Sequence, residues 1–447
     1  MTRRRIYIII LQSMLPDRDR ELALSLFDIV FSLSSTMDLV IPEIVSHSQR
    51  VAYISYSIAK ELGFSQDKIY NIILAGMLHD FGLLSYKDIT SAREFEFDFI
   101  SKNPHSHSFI TYYLLKDFSC LEVPANYIKY HHLIWDNGRG EEFNGEEVPI
   151  ESHILHLADR IEVLIHKGEH ILNQTGRIVK TIRENSGKMF IPYLVEAFYS
   201  LVDKEFFWLD LASNYIPNII VKKVVKKEDK KLSIKEFEKL SEVLARTIDF
   251  KSQFTSIHSR TVARISEVLG QYLGFPEKDI KFLKISGLLH DIGKLAIPLE
   301  ILEKEGTLNK NEWIILRSHP YNTYRILDNL KGLETIRDWS SYHHERLDGK
   351  GYPFHIKDDE IPLEAQIVTI ADIFTALSED RPYRKALNLK EVLDNMEDEV
   401  KKGSINSYLY YQLREIIDRL NKIIKETFAF SKEEYEKFKK FIEENLC

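Results

Sequence analysis

A chain of 447 residues is too long for one ordinary domain, and a formal net charge of −8 argues against holding long nucleic acid through a general basic field. Its 44% hydrophobic and 29% charged residues suffice for substantial cores, and no apolar run approaches the ~20 residues that cross a bilayer. Two cysteines, Cys120 and Cys447, exclude a disulfide framework and suit a reducing cytoplasm.

In chain order, Arg3-Arg4-Arg5 and the short apolar run Ile6 to Leu11 superficially resemble a signal peptide. No small-residue cleavage site follows, and Asp17, Arg18 and Asp19 come next, so a buried strand or helix start is expected. After Gly63, the positions Ile69, Ile72, Ile73 and Gly76 recur at helical spacing and lead into His79-Asp80. His107, the pair His131-His132 and Asp159 follow. Residues Lys222 to Lys231 form a charge run without an apolar face, which reads as a solvated linker. Beyond it Val262, Ile265, Leu269 and Tyr272 repeat the helical spacing, and Gly274 and Pro276 separate that helix from one ending in His290-Asp291. His319, His343-His344, the run Asp348 to Pro353 and Asp372 complete the series. Gly82 and Gly293 follow the two His-Asp pairs as helix stops, and Pro362 suits a first helical turn. Alternating strand patterns are nearly absent, so the fold class is all-α.

The two halves repeat one another. His47 to Ala52 matches His258 to Ala263, and His79-Asp80 matches His290-Asp291, both at an offset of 211 (258 − 47 and 290 − 79). His107 then matches His319, His131-His132 matches His343-His344, and Asp159 matches Asp372. Two copies mean a domain duplication rather than a solenoid. The expected division is 1–221, a linker over 222–234, and 235–447.

A lone His-Asp dipeptide is usually a helix-end hydrogen-bonding pair, and a His-His pair is commonly a surface feature. Here those bland readings would have to hold together, twice, at matching separations. A His/carboxylate set without thiolate suits iron or manganese, with nickel, cobalt or magnesium as lesser options, more than structural zinc. Two such cations about 3.5–4 Å apart can hold both oxygens of a phosphodiester during in-line displacement. The second-half set is His258, His290, Asp291, His319, His343, His344 and Asp372. Lys294 lies one turn beyond, and Arg381 and Arg384 have the guanidinium geometry to clamp phosphate.

His290-Asp291-Ile292-Gly293-Lys294, with Gly351-Tyr352-Pro353, His319-Pro320, Ala371-Asp372 and Arg381-Pro382-Tyr383-Arg384, resembles the HD-GYP subgroup of HD-domain phosphohydrolases over roughly residues 235–430. The resemblance implies an all-helical fold, a bi- or trinuclear metal centre and hydrolysis of cyclic di-GMP to pGpG or GMP. It makes those seven residues metal ligands, assigns catalysis to Asp291 and Lys294, and places Lys294, Tyr352, Arg381 and Arg384 against substrate. Trinuclear members carry a glutamate four residues before the first histidine; Phe254 stands there, so two metals are expected.

The first half inverts this pattern. Glu43 stands four residues before His47, and His47, His79, Asp80, His107, His131, His132 and Asp159 form a second, separate metal set. His105 and His156 are rivals without counterparts in the other half. Leu83 replaces the lysine, an acidic loop from Asp136 to Phe143 replaces Gly-Tyr-Pro, and a regulatory role is expected there. The competing readings are a non-catalytic cyclic di-GMP receptor and a hydrolase of another nucleotide, such as a mixed cyclic dinucleotide. A homodimer or a signalling-protein partner stays open.

Overall fold

The computed structural model describes residues 23–40, 45–85, 106–166, 168–213, 215–220, 229–251, 258–304, 306–380 and 384–446. Glu43, His105, Phe254, Arg381, the N-terminal Arg3 to Leu11 run and most of the charged linker lie outside these residues. The described part is helical, with two two-residue strand pairs. No described helix is long and apolar enough to cross a membrane.

The first half runs α1 (Leu26–Val40), α2 (His47–Glu61), α3 (Gln66–Leu78), α4 (Ser106–Leu115), α5 (Glu122–Lys129) and α6 (Ile150–Val163). Four further helices follow: α7 (Ile171–Glu184), α8 (Pro192–Val202), α9 (Glu205–Leu211) and α10 (Ile216–Ile220). The second half repeats the plan as α11 (Ile234–Lys251), α12 (His258–Leu273) and α13 (Glu277–Leu289). Short α14 (Leu299–Leu302) and α15 (Lys310–Leu316) precede α16 (His319–Asp328), α17 (Glu334–Ser341) and α18 (Leu363–Ser378). The chain closes with α19 (Leu389–Lys401), α20 (Ser407–Glu415) and α21 (Ile417–Leu446).

Each half is built on a close helix pair. A Cβ added at Gly76 would fall 2.7 Å from the Ala52 Cα, and one at Gly287 would fall 2.6 Å from the Ala263 Cα. Glycine facing alanine therefore sets the spacing of α2 on α3 and of α12 on α13. That spacing brings the first histidine of each half beside its His-Asp pair. Gly63 and Gly274, at φ 73° and 78°, end α2 and α12 in left-handed backbone.

The halves are joined by reciprocal packing. Helix α1 packs on its own α3, and also on the second half's 292–296 turn and on α16. Helix α11 packs on its own α13 and on the first half's 81–85 turn and α4. The strands entering these helices pair antiparallel, Leu24 opposite Leu232. A buried bond from the Ser32 hydroxyl to the Ile326 carbonyl, 2.5 Å, pins α1 to the far half. The arrangement is pseudo-two-fold, and Phe438 and Phe441 of α21 extend it by packing on Tyr113 of α4.

Candidate metal centres

In both halves the His-Asp pair sits where a helix gives way to a 3₁₀ turn, with His79 and His290 capping α3 and α13. The glycine after the pair does not work as the helix stop expected of it. Neither Gly82 nor Gly293 has positive φ; a Cβ would lie 2.3 Å from the His107 carbonyl oxygen or 1.9 Å from that of His319. The missing side chain lets the turn press against the helix that supplies the next histidine. A threonine rivets the contact. Thr323 donates to the His290 carbonyl at 2.8 Å and accepts from the Gly293 amide at 3.0 Å, as Thr111 does with His79 and Gly82 at 3.2 and 2.8 Å.

All seven second-half residues converge. His258, His290 and Asp372 present ligand atoms within 4.8 Å of one another, as do His290, Asp291 and His343, and His319, His343 and His344. Asp291 stands between these groups. Its Oδ2 is 3.2 Å from His290 Nε2 and 3.7 Å from His258 Nε2, while its Oδ1 is 3.3 Å from His319 Nε2 and 3.9 Å from His343 Nε2. Asp372 Oδ1 lies 3.1 Å from His258 Nε2.

The rings are held by their other nitrogens. Nδ1 of His290, His319 and His343 bonds the carbonyls of Gly287, Leu316 and Ser340 at 2.7–2.8 Å. A carbonyl only accepts, so each ring carries its proton on Nδ1 and turns the Nε2 lone pair inward. Glu379 performs this service for His258 at 3.1 Å. Buried His290 Nε2 and Asp291 Oδ1 meet no hydrogen-bond partner among the described residues. A cluster of inward lone pairs around orphaned buried atoms fits divalent cations.

Electrostatics agrees. Burial, then His344, holds His343 well below the usual histidine range, and burial then His319 brings His344 to about 3. Both rings are therefore neutral and ligand-ready at physiological pH. Burial alone would raise Asp291, but His290 and Lys294 outweigh it and keep the carboxylate ionised. Lys294 Nζ sits 2.5 Å from Asp291 Oδ2.

Around the rim, the Tyr352 ring lies 4.8 Å from that of His344, and the Arg317 guanidinium is 4.4 Å from the centre of the tyrosine ring. A Cβ at Gly351 would strike the Arg346 amide nitrogen at 2.4 Å, and the buried Glu345 carboxylate accepts from the Phe354 and His355 amides at 2.7 and 3.2 Å. The Tyr352–Pro353 bond is cis. Arg384 differs from the phosphate contact expected of it. Its guanidinium donates to the carbonyls of Ala376, Leu377 and Lys385, spending its donors on the end of α18.

The first half assembles six of its seven described ligand candidates likewise. Asp80, His107, His131 and His132 form one group, and His47, His79 and Asp80 a second. Nδ1 of His79 and His131 bonds Gly76 and Ile128 at 2.8 Å, and Glu162 takes His47 Nδ1 at 2.5 Å. His131 Nε2 is buried without a hydrogen-bond partner among the described residues. The departure is at Asp159, whose Oδ2 is held by Arg160 at 2.6 Å; in the second half the residue after the aspartate is the apolar Ile373. His156 belongs to neither group. It bonds the Leu133 carbonyl at 3.0 Å and stands edge-on to Phe190.

Sequence reasoning missed Glu162, Glu379, Arg160 and Arg317. Glu162 had a legible signal, since it lies three residues after Asp159 on the same helical face. Glu379 had none, because it stands in extended backbone just past the end of α18. Arg317 had none, because its contact joins α15 to a distant loop.

Comparison with known proteins places both halves. The HD domain family matches residues 44–164 and again 242–407. Among curated proteins, the chain is 31% identical over 405 residues to 3'3'-cGAMP-specific phosphodiesterase 1 of Vibrio cholerae, covering 86% of this chain and 92% of that one. It is 37% identical over 158 residues to a cyclic di-GMP phosphodiesterase of Pseudomonas aeruginosa, covering 35% and 37% respectively. A crystal structure of a cyclic GMP-AMP-specific phosphodiesterase from V. cholerae superposes with a TM-score of 0.60 at 24% identity, over 89% of this chain and 98% of that one, which supports the fold. With its two HD domains in tandem, each gathering histidines and aspartates into candidate metal clusters, the chain belongs to the HD superfamily of phosphodiesterases.

Proposed function

We propose that this protein hydrolyses a cyclic dinucleotide at the second-half centre, with the first half serving a regulatory or supporting role. The observation that supports this is Asp291, whose Oδ2 faces His290 and His258 and whose Oδ1 faces His319 and His343, with Lys294 against it and Tyr352 at the rim where the first half has Leu83 and an acidic loop. On this reading His258, His290, Asp291, His319, His343, His344 and Asp372 hold two divalent cations, iron or manganese by donor chemistry. When bound, such cations polarise the phosphodiester and supply a nucleophile at neutral pH. Lys294 then neutralises a non-bridging phosphate oxygen. Tyr352, kept protonated by burial and by Asp372, offers a hydroxyl donor at the rim. Arg317, stacked on that ring, adds positive charge where the second phosphate would lie.

The substrate is proposed as a 3′,3′-linked cyclic dinucleotide. The relative matched over most of both chains is named for 3'3'-cGAMP, whereas the cyclic di-GMP relative matches over about a third. 3'3'-cGAMP is therefore placed ahead of cyclic di-GMP.

The test loads the full chain anaerobically with Fe(II) or Mn(II) and offers cyclic di-GMP, 3'3'-cGAMP and cyclic di-AMP, following products by chromatography and metal per chain by elemental analysis. Linear products are expected from at least one, 3'3'-cGAMP fastest. Lys294→Ala should keep its metals and lose roughly 10²–10³ in rate. Asp291→Ala should lose both metal and turnover, whereas Asp80→Ala should lose metal alone. Tight binding without product would establish a receptor instead.

A further inference from the structure

On the opposite side of α12 from the metal ligands lies a cavity of about 590 Å³, within the range of small-molecule sites. Arg260, Ala263, Arg264 and Glu267 present one face of α12 to it, and on a 3.6-residue helix that face is turned well away from His258. Helices α11, α13 and α21 supply the other walls, and Asp117 and Phe118 reach in from the first half.

The lining holds polar groups that the fold does not use. Thr427 is 3% exposed, and its hydroxyl has no hydrogen-bond partner among the described residues. Arg246 donates weakly from one terminal nitrogen to the Leu114 carbonyl at 3.5 Å, but its buried Nε meets no acceptor among the described residues, and Asp117 and Glu434 are both 3.9 Å away, the outer edge of an ion pair. Leaving such groups unmatched is a deficit that a polar occupant removes. Arg264 is exposed alongside. Phe430 is 55% exposed, with Arg260 over its ring at 5.2 Å, so a large aromatic surface stays open beside the guanidinium groups.

We propose that this cavity is a second ligand site, separate from the metal centres, that takes a nucleoside monophosphate. The phosphate meets Arg246 and Arg264, the base stacks on Phe430, and Thr427 bonds the sugar or phosphate. A bare anion fits less well, because Glu267 also lines the space and would repel it, while Glu434 is held in an ion pair by Arg260. A nucleotide answers both signs, since an amino-bearing base edge donates to a carboxylate while the phosphate accepts from arginine.

Titration calorimetry of the manganese-loaded full chain with GMP tests this. One GMP is expected to bind, and binding should survive Asp291→Ala, which disrupts the second-half metal centre. Arg264→Glu and Phe430→Ala, both at exposed positions, should each weaken it at least about tenfold, or 1.4 kcal/mol, while leaving the melting temperature unchanged. The proposal is overturned if GMP does not bind Asp291→Ala, if affinity is the same in both cavity variants, or if inorganic phosphate binds as tightly as GMP.

Discussion

Asp249, near the end of α11, shows how close the metal-site scaffold runs to electrostatic strain. It is fully buried, accepts a bond from Ser259 at 3.0 Å, and burial pushes its pKa up to about 7 despite Arg260 and His258 nearby. The unfolded carboxyl titrates near ~3.9, so between roughly pH 4 and 7 the native state holds the extra proton. Native protonation above the unfolded pKa means stability falls as pH rises through that window. In chelator-treated protein, Asp249→Asn should flatten this slope, gaining on the order of a few kcal/mol relative to wild type between pH 5 and pH 8. Urea melts at the two pH values measure it, and parallel losses in both proteins would refute the assignment. At this scale the sequence was legible for the ligand candidates, because imidazoles and carboxylates recur at matched spacings. Asp249, Glu379 and Arg317 were not, since their importance comes from burial or from partners distant in the chain.

The His-Asp turn is the element that does most to shape both centres. Its glycine was read as a helix stop from local punctuation, yet its function is steric and non-local, a close approach to the helix bearing His107 or His319. No single stretch of sequence carries that information. Gly293→Ala should therefore cost about 3 kcal/mol or more through overpacking, and should displace His319 from Asp291. Gly176→Ala is the control. It sits mid-helix in α7 with nothing within 4 Å of the added Cβ, and should stabilise by roughly 0.5–1 kcal/mol. Thermal melts with metal titration distinguish them; equal effects at the two positions would sink the close-approach account.

Across the whole molecule, duplication and helicity were evident from spacing, but the exchange between halves was not. Helix α1 belongs by sequence to the first half and packs on both, and α11 mirrors it. Amphipathic patterns show that a helix buries a face, not whose face it covers. A chain cut to residues 229–447 would lose α1 from the 292–296 turn and α16. It should melt at least ~10 °C below the full chain, a shift worth a few kcal/mol for a unit of that size. The same pseudo-symmetry lets two copies of the fragment cover one another, so a homodimer is the expected rescue. Light scattering and calorimetry check this, and a monomer as stable as the full chain would rule it out.

That exchange also bears on how the gene can change over time. After a duplication, a copy that loses its catalytic side chains is ordinarily free to be deleted. Here deletion would strip a covering helix from the other copy, so under the proposed division of roles the first half would be kept for its scaffold even where Leu83 and the acidic loop depart from the second half's pattern. Selection on the first half should then fall on Gly76, Gly82, Thr111 and the face of α1, and only weakly on the rim of its own cluster.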